Sequence, residues 1–270
     1  MKKNKYLIKP DIKNLDLTRS VEGFDEKKQK ITTKVIHEKP LTIFLNSHEI
    51  VTLMSIGDHP NYLAIGYLLN QNMIRTEDEI KKIEYQKDLE TIIIRTNRRT
   101  NYEKKLRKKI TTSGCAQGTV FGDIYEEIEK INLAYKTKIK HGWIYELSKK
   151  ITLTPSLYLE AGAIHGCVLC KKNQPLIYME DVGRHNAVDK IAGYMFLNNI
   201  RANDKIFYTT GRLTSEMVIK TVKMGIPILI SRSGFTSWGV ELAKKTNLTL
   251  IGRAKGKRYT VLSGMKRLIN

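Results

Sequence analysis

The sequence lacks the features that would place the protein in a membrane or outside the cell. No run of apolar residues reaches the roughly 18 needed to cross a bilayer. The amino terminus, from Met1 to Lys5, leads into a charged stretch and not into a signal-peptide apolar region. Three cysteines are too few, and odd in number, for a disulfide framework in 270 residues, so they are interpreted as reduced thiols, metal ligands or a nucleophile. We therefore expect a cytoplasmic protein.

The usual nucleotide-binding fingerprints are also missing. The chain has no Walker loop and no dinucleotide-type glycine triplet after a strand, and its tyrosines are dispersed and do not form a base-stacking platform. Positive charge is abundant instead: the formal net charge is +20. Such a surface attracts nucleic acid, phosphorylated cofactors or acidic proteins, although many of the scattered lysines are equally consistent with an ordinary solvated surface.

Hydrophobic periodicity divides the chain into four regions. The first is charged with little periodicity, so we expect it to be extended and not packed. The second alternates like strands around one helix, which runs from a proposed N-cap, Asp58, to Leu69. The third contains a small-residue loop, and the fourth repeats strand–loop–helix units. The regions are 1–36, a polar lead-in; 37–110, a small α+β domain; 111–140, a cysteine loop and connector; and 141–270, an α/β domain.

The α/β domain repeats its unit three times, and each loop contains glycine and arginine. In open α/β sheets, ligands bind beyond the carboxyl ends of the strands, where helix N-termini attract anions. One alternative is that these arginines pair with Glu180, Asp181 or Glu216 and only hold loops together. Four equivalent positions favour a site for a polyanion with several phosphates. The arginines are Arg184, Arg212, Arg232 and Arg253, and the hydroxyl residues beside them are Thr214, Ser215, Thr236 and Ser237.

Cys115 lies in a loop of small residues, from Thr111 to Gly118, between the two halves of the chain. Flanking glycines let a bulky acceptor approach, and the nearby Lys108 and Lys109 favour the thiolate over the thiol. Cys115 is therefore a candidate nucleophile. The alternative is a cysteine in an ordinary linker.

Cys167 and Cys170 form a Cys-x-x-Cys pair just after His165. A lone pair of this kind is weak evidence for a metal, because a tetrahedral site needs further ligands, and buried unreactive thiols fit at least as well. His165 is a candidate acid or base, or a core hydrogen-bonding residue. His185, at a predicted helix start, is placed to contact an anion or to orient Asp189 one turn on.

Three segments of the α/β domain match a known protein family. The run Glu-Asp-Val-Gly-Arg-His-Asn-Ala-Val-Asp-Lys begins at Glu180, Gly-Arg-Leu-Thr-Ser-Glu-Met-Val begins at Gly211, and Gly-Ile-Pro-Ile-Leu-Ile-Ser-Arg-Ser begins at Gly225. In these runs the chain resembles the FdhD family of formate dehydrogenase accessory proteins. The Cys115 loop and His165 occur in the family's order, so the resemblance covers nearly everything after residue 36.

This resemblance implies a sulfur carrier, or sulfurtransferase. Members of the family take persulfide sulfur from a cysteine desulfurase and pass it to the bis-molybdopterin guanine dinucleotide molybdenum cofactor, before that cofactor enters formate dehydrogenase. The fold of the family is cytidine-deaminase-like, so the resemblance implies a three-layer C-terminal domain of that type with a smaller α+β N-terminal unit. Cys115 matches the persulfide cysteine of the family. The family's cofactor-binding stretch matches Arg253, Ala254, Lys255, Gly256, Lys257 and Arg258, and the arginine-lined edge with Arg184, His185, Arg212 and Arg232 fits the same acceptor.

The chain departs from the family's pattern at three places. Gly118 stands where a second loop cysteine is usual, Arg253 replaces an aromatic residue, and His165 is followed by Gly166 and Cys167 where small apolar residues are usual. A single persulfide on one loop cysteine remains compatible with this loop. We further expect a homodimer, since two protomers could share one large cofactor, with no permanently bound metal and no membrane or nucleic-acid partner.

Two alternatives come from other functional classes. A zinc-dependent deaminase needs His-x-Glu followed by Pro-Cys-x-x-Cys, but Cys167 occupies the position two after His165 and no Pro-Cys-x-x-Cys occurs. A nucleic-acid-binding protein would explain the positive charge, and it would bind with steep salt dependence. Stoichiometric zinc would favour the first alternative, and tight RNA or DNA binding the second.

Overall fold

A computed structural model of the protein describes residues 6–97, 109–111 and 119–270. Cys115 and most of its loop lie outside these residues. No helix among the described residues is long and apolar enough to span a bilayer. The described strands are β1 (Thr18–Phe24), β2 (Lys30–Ile36), β3 (Lys39–Leu45), β4 (His48–Ser55), β5 (Ile80–Gln86), β6 (Thr91–Thr96), β7 (Lys109–Thr111), β8 (Thr119–Phe121), β9 (Ile139–Lys140), β10 (His165–Lys171), β11 (Gln174–Asp181), β12 (Ile206–Thr209), β13 (Ile228–Ser231), β14 (Thr249–Lys255), β15 (Arg258–Ser263) and β16 (Leu268–Ile269).

Helices separate and cover the sheets that these strands form. The described α-helices are α1 (Pro60–Asn70), α2 (Gly122–Glu129), α3 (His141–Thr152), α4 (Leu157–Ala161), α5 (Arg184–Leu197), α6 (Ser215–Lys223) and α7 (Ser237–Lys245), and the short 3-10 helices are Leu15–Leu17, Lys87–Leu89 and Met265–Arg267. The chain is thus a mixed α/β protein, as its periodicity predicts.

The larger sheet has six strands in the order β11-β10-β12-β13-β14-β15. Strands β12, β13 and β14 are parallel, while β10 is antiparallel to both β11 and β12. Strands β11, β12, β13 and β14 therefore run in one direction, and β10, which lies between β11 and β12, runs in the opposite direction. The carboxyl ends of the four strands meet at one edge of the sheet. Helices α5, α6 and α7 begin just beyond that edge.

The two faces of this sheet belong to different parts of the core. Phe207 and Leu229 pack with α5 and α6 on one face, whereas Tyr208 and Ile230 pack with α3 on the other. Successive residues of a strand point to opposite faces, so a strand covered on both sides is apolar throughout. All four residues of β12 and of β13 are accordingly buried.

The smaller sheet, in the order β4-β3-β6-β5, joins the larger one through helices α1 and α5. A Cβ atom on Gly66 would lie 1.8 Å from the backbone oxygen of Asp189, and one on Gly193 would lie 2.0 Å from that of Tyr62. Both positions must therefore be glycine for the two helix backbones to approach so closely. This crossing fixes the amino-terminal sheet against the helix that begins at the strand-end edge.

Most predicted elements are confirmed, including the hairpin of β3 and β4, helix α1, strands β5 and β6, and the three strand–loop–helix units. The division into four regions stays a prediction. The lead-in contains regular structure that the sequence did not indicate: Thr18–Phe24 and Lys30–Ile36 form an antiparallel hairpin, and Ile8 pairs with Ile177 at the sheet edge. Nearly every residue of the hairpin is exposed, so it has no buried face to produce a hydrophobic alternation.

The N-cap prediction for helix α1 is also wrong. The helix begins at Pro60, and its N-cap residue is His59, in a left-handed conformation without a side-chain cap. The Asp58 carboxylate instead pairs with the buried Lys190 ammonium. An ion pair with a buried ammonium outweighs a cap at an exposed helix end, and sequence spacing alone does not reveal it because the partner is 132 residues away.

Candidate anion-binding site

The carboxyl-end edge of the larger sheet brings three arginines around one imidazole. Burial is the largest cause that lowers the pKa of His165. The nearby charges of Arg184, Arg232, His185 and Arg212 lower it further, and their effects decrease in that order. The Thr210 hydroxyl lies 3.4 Å from His165 Nδ1. The predicted convergence of strand-end loops thus places these cations close to one another and keeps His165 neutral near pH 7.

Arg184 is the first residue of helix α5 and is buried, with 6 % of its surface exposed. Its aliphatic carbons border Gly211, where an added Cβ would lie 3.1 Å from them. The Nε and Nη2 atoms of Arg184 are buried and have no hydrogen-bond partner in the described part of the chain. Two buried N–H donors without partners are costly to leave unsatisfied, so Arg184 is a strong candidate for contact with an anion.

The arginines do not pair with the three carboxylates that offered an alternative interpretation. Glu180 accepts hydrogen bonds from the backbone N–H groups of Leu157 and Tyr158, at 2.7 and 3.3 Å. Asp181 pairs with Lys190, and Glu216 with a histidine. Within the described ranges, no ion pair includes Arg184, Arg212, Arg232 or Arg253. The interpretation of these arginines as loop-holding ion-pair partners is therefore wrong.

Arg232 follows strand β13 and lies against an aromatic ring. Its guanidinium carbon is 4.7 Å from the centroid of the Tyr158 ring, on the short helix α4. No sequence pattern predicts this contact, because Tyr158 is distant from every motif and its helix has only five residues. Arg212, in contrast, is exposed in the loop before α6. Stacking fixes the Arg232 plane while leaving its N–H edges free to bind oxygen atoms.

Residues 253–258 form the end of a β-hairpin and not a free loop. Strand β14 continues beyond Gly252 to Lys255, with a register shift in between, and β15 begins at Arg258. Arg253 has a left-handed φ of 54° and donates its backbone N–H to the carbonyl of Ser233 at 2.8 Å, which places it beside the loop after β13. The exposed members of this stretch are Arg253, Lys255, Gly256, Lys257 and Arg258, whereas Ala254 is buried.

The charged residues of the Glu180-to-Lys190 run mostly build the scaffold under the site. Lys190 is fully buried; burial lowers its pKa, but the Asp181 and Asp58 carboxylates raise it by more. The Asp181 carboxylate also accepts from the Ser55 hydroxyl at 2.7 Å and from the Asn186 amide at 3.1 Å. These bonds tie β4 of the smaller sheet to β11 and α5.

A second buried group joins the helices. Both Asp189 oxygens accept from Lys220, at 2.8 and 2.7 Å, and one also accepts from the Asn70 amide at 2.6 Å. His185 does not orient Asp189, as one interpretation had it, because its Nε2 lies 2.7 Å from Glu216 Oε2. These contacts hold α1, α5 and α6 together, so that, within the described ranges, Arg184 is the one basic side chain of the run without an ion-pair partner.

His185 and its neighbours nevertheless keep free polar atoms at the site. Burial lowers the pKa of His185, although the hydrogen bond to Glu216 opposes this. His185 Nδ1, Glu216 Oε1 and Thr214 Oγ1 are buried without partners among the described residues. Helices α5 and α6 both begin without a side-chain cap bond, so their first N–H groups also face this edge. The helix N–H groups and the Thr214 hydroxyl are donors that suit an anionic ligand, whereas the Glu216 oxygen only accepts.

Cys167 and Cys170 are buried inside the larger sheet. Cys167 packs on the face covered by α5, and Cys170 on the face covered by α3, so the two thiols cannot bind one metal ion. Burial raises the pKa of Cys167 to about 12 and that of Cys170 still higher. Among the described residues, no three His, Cys, Asp or Glu side chains group as metal ligands. Cys167 and Cys170 are thus packed, unreactive thiols.

Comparisons with known proteins agree on one family. The model of the FdhD/NarQ family matches residues 36–269. Proteins named sulfur carrier protein FdhD are 30 % identical to the chain in Bacillus pumilus strain SAFR-032 over 244 residues, covering 88 % of this chain and 91 % of that protein. In Bacillus subtilis strain 168 the identity is 30 % over 241 residues, covering 88 % and 92 %.

A solved structure gives the same result for the fold. The crystal structure of a protein proposed to be a formate dehydrogenase accessory protein, from Desulfotalea psychrophila, superposes with a TM-score of 0.76 at 28 % sequence identity. The match covers 93 % of this chain and 98 % of that one. The chain therefore belongs to the FdhD/NarQ family.

Proposed function

We propose that this protein is a sulfur carrier for the maturation of formate dehydrogenase. Cys115 accepts persulfide sulfur from a cysteine desulfurase and passes it to the bis-molybdopterin guanine dinucleotide molybdenum cofactor, which the protein binds as its acceptor. Of the observations, the strongest support is the group of Arg184, Arg212 and Arg232 around His165, with the Nε and Nη2 atoms of Arg184 buried and without partners among the described residues. The names of the relatives support the same role.

Sulfur moves in two balanced steps. In the first, the Cys115 thiolate attacks the terminal sulfur of the donor's persulfide; a new S–S bond forms, and the donor cysteine leaves as a thiolate. In the second, the terminal sulfur of the Cys115 persulfide is transferred as neutral sulfur and Cys115 leaves as a thiolate. The acceptor supplies the two electrons that convert this sulfur into sulfide. No other oxidant or reductant is needed.

The acceptor is a polyanion with two pyrophosphates, and the arginine-lined edge suits it. Arg184 and the uncapped starts of α5 and α6 offer buried donors for one phosphate group. Arg232, held on the Tyr158 ring, offers a planar N–H fork for another. The exposed cations at the tip of the β14–β15 hairpin extend the site outward. We propose the segment that contains them as the cofactor-binding stretch: Arg253, Ala254, Lys255, Gly256, Lys257 and Arg258.

His165 is proposed as an acid or base beside the bound acceptor. Burial and the surrounding arginines lower its pKa, so the imidazole is neutral at physiological pH and can accept a proton. His185 donates from Nε2 to Glu216, so we propose that its Nδ1, which has no partner among the described residues, accepts a hydrogen bond or a proton at the same edge. A neutral imidazole here can take up the proton of an incoming persulfide, and the imidazolium that forms then adds one positive charge beside the arginines, which bound phosphate groups would offset.

The cytidine-deaminase-like architecture belongs to the same proposal. It is supported by β10, which runs antiparallel in second place of the order β11-β10-β12-β13-β14, and by helices on both faces. The zinc-deaminase alternative is not retained, because the two described thiols face opposite sides of the sheet. We also propose a cytoplasmic homodimer that meets a cysteine desulfurase as donor and formate dehydrogenase as client.

Mass spectrometry of the purified chain after incubation with a cysteine desulfurase and cysteine tests the loading step. We expect one added sulfur atom on the peptide that contains Cys115, and the same addition in a matched variant that keeps only this thiol, Cys167→Ala with Cys170→Ala. Loading that is absent from Cys115, or that occurs on another cysteine, would remove the carrier role from this residue.

A further inference from the structure

A cavity of about 920 Å³ lies at the opposite end of helix α5 from the arginines. Helix α5 has 14 residues, so its two ends are about 20 Å apart. The cavity is bordered by the carboxyl-terminal residues of α1, α5 and α6 and by the segment of residues 74–80. A ligand bound here would not compete with one at the arginine-lined edge.

The cavity combines an apolar floor with an acidic rim. Ile74 and Met195 are buried in its floor, and Phe196 and Ile200 are partly exposed beside them. The exposed rim carries the carboxylates of Glu77, Glu79 and Glu127.

The charges around the rim leave it negative, because four carboxylates, Glu77, Asp78, Glu79 and Glu127, face two cations, Lys223 and Arg75, the second of which lies 3.8 Å from Glu77. Lys223 donates to the carbonyls of Leu69 and Asn70, at 2.9 and 3.0 Å, so its charge is directed at the end of α1. Helix α5 has no basic residue in its last turn, and the negative end of its dipole faces the same cavity. An amphipathic, negative cavity on a chain of net charge +20 contrasts with the rest of the surface.

We propose that this cavity docks a basic amphipathic segment of a partner protein, with apolar side chains on the floor and lysine or arginine side chains at the rim. Charge complementarity selects this occupant. A lysine-bearing segment is repelled by most of this strongly basic surface and attracted by Glu77, Glu79, Glu127 and the end of α5. The apolar floor adds hydrophobic contacts with the segment's apolar side chains, and ion pairs at the rim alone would not supply these contacts.

Fluorescence anisotropy of the full chain with a labelled amphipathic peptide of leucine and lysine tests this directly. We expect the lysine peptide to bind, and a matched uncharged peptide with glutamine in place of lysine to bind at least about tenfold more weakly. The triple variant Glu77→Gln, Glu79→Gln, Glu127→Gln should weaken binding about tenfold at low salt. A control triple variant of exposed carboxylates elsewhere, Glu22→Gln, Glu49→Gln, Glu241→Gln, should change it less than about twofold.

Hydrogen exchange of the bound complex locates the peptide. We expect slower exchange in residues 74–80 and 195–200, and no change at the arginine-lined edge. Equal loss of binding in both triple variants, or protection elsewhere, would overturn the proposal. Binding that occurs only after the chain's own basic residues between 98 and 108 are neutralised would assign the cavity to an intramolecular segment and overturn it as well. Sulfur loading on Cys115 is a separate readout, so either proposal can fail alone.

Discussion

Replacing Arg184 with methionine should make the protein more stable and its ligand site weaker. The Nε and Nη2 donors of Arg184 are buried without partners, and each such donor costs about 1–3 kcal/mol. Methionine keeps a flexible chain to pack against Gly211 but has no N–H group to satisfy. After allowance for imperfect repacking, we expect the free energy of unfolding to rise by about 2 kcal/mol, which corresponds to about 4–8 °C in Tm.

The same substitution should weaken binding of a guanine nucleotide diphosphate. A hydrogen bond to a charged group contributes about 1.5–3 kcal/mol, so Kd should increase about 10- to 150-fold. Urea unfolding and calorimetric titration with GDP measure the two effects on one preparation. Arg212→Met is the matched control: its side chain is exposed, and its stability should stay within about 0.5 kcal/mol of the unsubstituted protein. An Arg184→Met variant that is less stable and binds GDP unchanged would refute the assignment of Arg184 as an unsatisfied anion-binding residue.

Three further predictions follow from buried groups. Gly66→Ala should destabilise by at least about 3 kcal/mol in urea unfolding, since its Cβ would meet backbone, whereas Gly23→Ala, with open space, should change stability by less than about 1 kcal/mol. Burial raises the pKa of Glu180 to about 7, above its ordinary 4.5, so its contribution to stability is present below pH 4.5 and lost as pH rises to 7; Glu180→Gln should flatten this part of the pH profile. Iodoacetamide at pH 8 should leave Cys167 and Cys170 unlabelled in the native protein and label both after unfolding. Labelling of either thiol in the native protein as fast as in the unfolded protein would contradict their burial.

The sequence predicts the large elements because their apolar patterns are long and regular. Strands β12 and β13 are short apolar runs covered on both faces. The carboxyl ends of the parallel strands carry Arg184, Arg212 and Arg232 to the edge where His165 lies, and their role as a ligand site stays a prediction. The exposed β1–β2 hairpin could not be predicted in this way, because it has no buried face and therefore no alternating apolar pattern.

Contacts between distant residues could not be predicted from one sequence. The Asp58–Lys190 pair spans 132 residues, and the Tyr158 ring under Arg232 comes from a short helix outside every motif. The sequence also does not distinguish Arg184 from the paired charges around it, because Asp181, Asp189 and Lys190 differ from it only in the partners that folding provides.

Complementation of a strain that lacks its own sulfur carrier tests the central claim most directly. Formate dehydrogenase activity would be compared for the unsubstituted chain, Cys115→Ala, and the double variant Cys167→Ala with Cys170→Ala, at matched protein levels. We expect the unsubstituted chain and the double variant to restore activity, and Cys115→Ala not to restore it. Equal restoration by Cys115→Ala would contradict sulfur transfer through this cysteine.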